Sequence, residues 1–108
     1  MNQVAEYTKH GFSLFDGKNY VFWITRMKLF LQSQGLEIWE MVKNGFTMPE
    51  DMEEPTELAE RSKFVQNSKS MCAILGGLTG TDFVKVMHCK SAKEIWINLR
   101  RYMKEMAR

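Results

Sequence analysis

The groups in this chain that could do chemistry are few: two cysteines, Cys72 and Cys89, two histidines, His10 and His88, and a run of carboxylates, Glu50-Asp51 and Glu53-Glu54. His88-Cys89 together with Cys72 comes nearest to a metal set or a Cys–His nucleophile. Zinc is normally held by paired ligands at spacings such as C-x₂-C and H-x₃₋₅-H, and neither pair occurs. Neighbours on a helix project about 100° apart, so an edge histidine and a buried thiol are expected here rather than a joint site. His10 stands near the terminus without a partner. The carboxylates lie between Pro49 and Pro55 in an expected loop, where no burial would raise a pKa for acid catalysis. Gly76-Gly77-Leu78-Thr79-Gly80 lacks the Lys-Ser/Thr of a phosphate-binding loop and the preceding strand of a dinucleotide turn, and reads as a helix stop. No catalytic, metal or cofactor-binding residue is assigned. Neither an enzyme nor a small-molecule substrate is expected.

Two groups remain that could touch a macromolecule. Arg100, Arg101, Lys104 and Arg108 could meet RNA phosphates from one helix face, although no aromatic interleaves with them to stack bases, so a solvated face is the competing reading. Met48 and Met52, set among Glu50, Asp51, Glu53 and Glu54, are candidates for self-association or partner contact, because methionine adapts to irregular surfaces. The charge is lopsided: residues 1–60 carry five Lys/Arg and ten Asp/Glu, residues 61–108 ten and three, within a net charge of +2. Such asymmetry suits head-to-tail contacts between copies, an acidic partner, or an ordinary mixed surface.

The elements that must position these groups read as helices. Asp16-Gly17 is turn chemistry, Asn19 suits an N-cap, and Tyr20, Trp23, Ile24, Met27, Phe30 and Leu31 follow at helical spacing. This first helix should run over about 20–33 and close at Gly35 in a left-handed C′ conformation. A short second helix over 36–43 places Leu36, Trp39 and Val42 or Lys43 along one side and stops at Gly45. The acidic loop follows. Thr56 is the expected cap of the longest helix, about 57–75, with Leu58, Val65 and Cys72 on one line and Phe64, Ser68, Met71 and Leu75 on the next. Residues 82–89 read as a short helix capped by Thr81 and presenting Phe83, Val84 and Met87, with a strand as the alternative. Ser91-Ala92-Lys93-Glu94 is a capping box. The last helix then carries Ala92, Ile95, Trp96, Leu99, Tyr102 and Met103 on one face, matching the apolar positions of the first helix at a constant offset of 72.

With 108 residues, 44% of them apolar and 12% aromatic, one domain with its own core is expected. Its class is all-α, a compact bundle of about five helices over 19–108 behind a short extended arm and turn over 1–18. Two dispersed cysteines and no signal-like N-terminus point to reduced thiols in an intracellular protein, cytoplasmic or nuclear. No stretch is long and apolar enough for a membrane span, so no membrane partner is expected.

Phe15, Gly17, Asn19, Tyr20 and Trp23 spell F-x-G-x-N-Y-x-x-W, which resembles the opening of the Gag polypeptide of copia-type LTR retrotransposons. Met27 and Leu31 continue that helix, Trp39-Glu40-Met41-Val42-Lys43-Asn44-Gly45 resembles the family's W-x-x-V-x-x-G segment, and Ser91 to Leu99 with Tyr102 looks like its S/T-A-K-E-x-W-x-x-L-x-x-x-Y helix. The resemblance covers most of residues 12–103. It implies a capsid N-terminal-like helical domain that is structural rather than enzymatic, self-associating toward particles around element RNA, with the matched residues as packing positions. The Cys-x₂-Cys-x₄-His-x₄-Cys knuckle of Gag proteins does not occur in the sequence. The chain would then be the N-terminal part of a Gag, or a short host-encoded derivative that binds a host protein.

Overall fold

Trp23, Met27 and Leu31 recur every four residues, and in the computed structural model, which describes residues 20–48 and 54–106, they form the buried stripe of helix α1, Tyr20–Ser33. Four more helices follow: α2 (Leu36–Asn44), α3 (Leu58–Leu75), α4 (Gly80–Val86) and α5 (Ala92–Met106). Among the described residues there is no strand, so the all-α expectation holds and residues 82–86 are helical. The arm, the Asp16-Gly17 turn, the Asn19 cap and the boundary between arm and helices lie outside the described residues.

Helix α2 sits centrally, packing on α1, α3 and α5, while α3 also meets α1 and α5 and α4 lies chiefly on α5. One apolar cluster joins all five helices, from Trp23 and Leu31 through Ile38, Val42 and Ile74 to Val86, Ile95, Leu99 and Met103. The shared register of the first and last helices is visible in it. Trp23, Met27 and Leu31 pair in position with Ile95, Leu99 and Met103, and all six are essentially inaccessible. Trp39 and Trp96 meet edge to face, with ring centroids 5.8 Å apart, an arrangement favoured by the ring quadrupoles. Trp23 and Trp96 therefore do face one core, and Trp39 flanks it.

Two corners need glycine. Gly35 has φ +137° and ψ 143°, a conformation open essentially to glycine alone, so it is not the left-handed helical residue expected there; it is the N-cap of α2 and turns the chain sharply between the helices. Gly45 ends α2 at φ +84°, donating its N–H to Met41 O. A side chain at 45 would also press on Lys93 of α5.

The inner faces of three helices differ from the sequence expectation. In α2 the buried residues are Ile38, Met41 and Val42, and Leu36, in the first turn, is 69% exposed. In α3 the line Leu58, Val65, Cys72 faces outward, and the core side is Asn67, Ser70 and Ile74, with Met71 half-buried beside them. Two of these three are polar because they serve neighbouring backbones. Ser70 Oγ lies 2.9 Å from Ile38 O in α2 and 2.8 Å from Gln66 O, so its single proton is shared between two carbonyls. Asn67 Oδ1 accepts from Ala92 N–H at 2.9 Å, capping α5 from another helix. In α4 the buried residues are Asp82 and Val86, whereas Phe83, Val84 and Met87 are exposed.

Caps were partly legible. Ser91 Oγ accepts from Glu94 N–H at 3.1 Å as a capping box requires, while Glu94 Oε1 reaches one residue further back than usual, to Lys90 N–H at 3.1 Å. Thr56 does not cap α3; Glu57 holds that position without a side-chain bond. Thr79, not Thr81, caps α4, accepting from Asp82 N–H. The helix begins two residues earlier than expected, at Gly80, because Thr79 can satisfy the free amide of Asp82.

Candidate functional site

Packing accounts for most of the residues that carry the Gag resemblance. Trp23, Met27, Trp96 and Leu99 are buried, and Tyr20, Trp39 and Tyr102 are packed against the core at its edge. Trp23 also donates its indole N–H to Gly77 O at 3.1 Å, tying α1 to the end of α3. Phe15, Gly17 and Asn19 lie outside the described residues. A contact surface must therefore be sought among the exposed side chains.

Three exposed groupings stand out. On α1, Phe22 and Leu29 are seven residues apart and so lie almost on one line, opposite the buried stripe; they are 55% and 60% exposed, and Val21 beside them is 69% exposed. The Arg26 guanidinium lies over the Phe22 ring, 5.4 Å from its centroid. Phe83, Val84 and Met87 form a smaller apolar group on α4. On α5, Arg100, Arg101 and Lys104 are all exposed, as a phosphate-facing or solvated surface requires, and Arg101 donates to Asn98 Oδ1 at 3.2 Å. Arg108 lies outside the described residues.

Of the acidic loop, Met48 is half-buried and Glu54 exposed, while Glu50, Asp51, Met52 and Glu53 lie outside the described residues. Among the described helices the charge is mixed: α2 carries Glu37 and Glu40 against Lys43, α3 carries Arg61, Lys63 and Lys69 against Glu60, and α5 carries Lys93, Arg100, Arg101 and Lys104 against Glu94 and Glu105.

A small polar network joins α4 to α5. Tyr102 donates to Asp82 Oδ1 at 2.8 Å, and Thr79 donates to Asp82 Oδ2 at 3.1 Å, so both oxygens of this buried carboxylate are used. Burial, then the hydrogen bond to Asp82 and the charge of that carboxylate, push the Tyr102 phenol up to about 12. The native state thus favours the protonated phenol relative to an unfolded chain, whose tyrosine titrates near ~10. That stabilisation is complete below pH ~10 and is lost as pH rises through about 12. Denaturation midpoints of the wild type and Tyr102→Phe should accordingly differ most at neutral pH and converge over this alkaline window. A constant difference would show that the phenol proton is not involved.

The structure revises one geometric premise about the chemical groups. His88 and Cys89 do not sit on a helix with diverging side chains: α4 ends at Val86, and the turn that follows brings Cys89 Sγ to 3.9 Å from His88 Nε2. Cys89 is buried and His88 exposed, as expected. Glu94 joins them, with one donor atom from each of the three residues lying within 4.8 Å of the others. Sequence spacing gave no sign of this, because Glu94 was committed to the helix cap and performs that role as well. Cys72 stands apart and exposed on α3.

No helix among the described residues is long and apolar enough to cross a membrane. Comparison of the chain with family models, with curated proteins and with solved structures gives no match.

Proposed function

We propose that this chain is a non-enzymatic assembly module of Gag type, acting through protein–protein self-association toward capsid-like particles. The observation that carries the reading is the outer face of α1. A helix whose inner stripe already fills the core keeps Val21, Phe22 and Leu29 on its opposite side, and large exposed apolar residues set together on a helix are the usual mark of a protein-contact surface. The ordered sequence matches to copia-type Gag support the same reading, with their described residues used for packing and the outer faces left for assembly. The uneven charge of residues 1–60 and 61–108 would favour oriented contacts between copies over random ones.

Light scattering across protein and salt concentration tests it. The wild type should grow in mass with concentration, and Phe22→Glu with Leu29→Glu should weaken association more than tenfold at unchanged melting temperature, since central apolar contacts in an interface cost about 2 kcal/mol or more each. A strict monomer at high concentration would sink the reading. The exposed Arg100, Arg101 and Lys104 support a second reading, RNA binding along α5; association that appears only with added RNA, and only at low salt, would favour it. A host protein that competes with self-association for the α1 face would instead indicate co-option of the same surface.

A further inference from the structure

The chain between α4 and α5 folds back on itself, with Cys89 N–H donating to Val86 O at 3.0 Å. That turn sets the His88 imidazole beside the Cys89 thiol, and the first turn of α5 adds the Glu94 carboxylate, so three different ligand types converge within 4.8 Å. Cys89 forms the buried wall of the cluster, while His88 and Glu94 are exposed and leave one side open. An exposed imidazole at this position is not required by the core.

The donor set selects the kind of ion. Magnesium and calcium favour all-oxygen shells, whereas nitrogen, sulfur and one carboxylate suit a borderline divalent transition metal. Tetrahedral zinc, with bonds of about 2.0–2.3 Å, holds its ligand atoms about 3.3–3.6 Å apart, so the observed 3.9 Å between Sγ and Nε2 must close by a few tenths of an ångström and the Glu94 oxygen, within 4.8 Å of both, by up to about an ångström. One thiolate and one carboxylate would neutralise a dication, so the loaded site would carry no net charge beside the positive end of the α5 dipole and the exposed Lys90 and Lys93. The groups that orient such ligands are already in place. Asn98 Nδ2 points at Cys89 Sγ from 3.6 Å, and Lys90 N–H holds Glu94 Oε1 at 3.1 Å.

We propose that His88, Cys89 and Glu94 form a three-ligand site for a divalent transition metal of the zinc class, its fourth position open to water or an external ligand. Binding forms a metal–sulfur bond and releases the Cys89 thiol proton to solvent, with no change of oxidation state. Without the metal, burial pushes the Cys89 thiol up, the Asn98 amide pulls it down and the Glu94 carboxylate adds to the rise.

Cobalt(II), titrated into the whole chain under a thiol-free reductant, is the probe. A sulfur-to-cobalt charge-transfer band should appear, saturate at one equivalent and be bleached by zinc(II). Cys89→Ser should abolish it and Cys72→Ser should leave it unchanged. His88→Ala should weaken binding at least tenfold, and Asn98→Ala by roughly 10–100-fold. Glu94→Gln should also weaken it, compared at matched helical content because Glu94 caps α5. Absence of the band in the folded wild type, its survival in Cys89→Ser, or its loss in Cys72→Ser overturns the site. Should Cys89→Ser fail to fold, the exposed His88 decides: unchanged cobalt affinity in His88→Ala overturns the proposal.

Discussion

Trp23→Ala is expected to cost about 3–5 kcal/mol and to leave the domain partly or wholly unfolded, a large share of the ~5–15 kcal/mol that holds a typical domain together. Two losses combine. The indole is 1% exposed and lies in the shared core, where α1 packs on α2, α3 and α5, so truncation leaves a cavity there. Its N–H also satisfies Gly77 O at 3.1 Å, in the turn that ends α3. Trp23→Phe separates the two effects, keeping most of the apolar area and removing the donor, and should cost nearer ~1–2 kcal/mol. Urea denaturation followed by circular dichroism measures both. A stable Trp23→Ala protein would mean that the F-x-G-x-N-Y-x-x-W motif belongs to a contact surface and not to the core.

Asn67→Ala should be the second costly change, although the residue is polar and lies in mid-helix. Its Oδ1 is the acceptor for Ala92 N–H in a buried place, and an amide left there without a partner costs about 1–3 kcal/mol. Val65→Ala, two residues away and 48% exposed, should change stability by no more than ~0.5 kcal/mol. Denaturation midpoints of the two variants decide which face of α3 is internal. If Val65→Ala proved the more damaging, the inner stripe Asn67, Ser70, Ile74 would be wrong.

That contrast marks where the sequence could and could not be read. Helix α5 carries apolar residues at every inner position and polar residues at most outer ones, and α1 keeps an unbroken apolar inner stripe although Val21, Phe22 and Leu29 lie outside, so in both the period of the inner stripe gives the direction of the core. Their bounds and faces were legible, as was the Ser91 cap. Helix α3 breaks the link between apolar and internal. It gives two inner positions to Asn67 and Ser70, which bond to the backbones of α5 and α2, and it leaves Leu58 and Val65 outside. Hydrophobic periodicity carries no information about such tertiary hydrogen bonds. A polar pair at i and i+3 in line with Ile74 at i+7 was the signal present, but it resembles an ordinary solvated face. In α4 the apolar residues Phe83, Val84 and Met87 likewise misdirected the reading, because Asp82 is drawn inward by Tyr102 and Thr79.

The candidate surfaces were legible in part. Arg100, Arg101 and Lys104 are exposed on α5 as charge patterning implies. The outer ridge of α1 was hidden within a helix whose overall apolar content looked like core. The grouping of His88, Cys89 and Glu94 depends on where α4 stops, and a helix end displaced by three residues turns two diverging side chains into neighbours.

The attachment of α4 has a consequence for how the domain breathes. This helix has seven residues, and among the described residues its holds on the bundle are the side chain of Val86, the carboxylate of Asp82 and Lys85 over the Tyr102 ring. Most of its apolar side chains already face outward, so detaching it exposes little new surface, whereas detaching α2 would open the centre of the bundle. Local opening should therefore begin at α4 and run into the turn at His88 and Cys89, leaving α1, α2, α3 and α5 assembled. Any ligand or neighbouring copy that clasped this corner would act mainly by suppressing that opening, and would stabilise the native ensemble without altering its average structure.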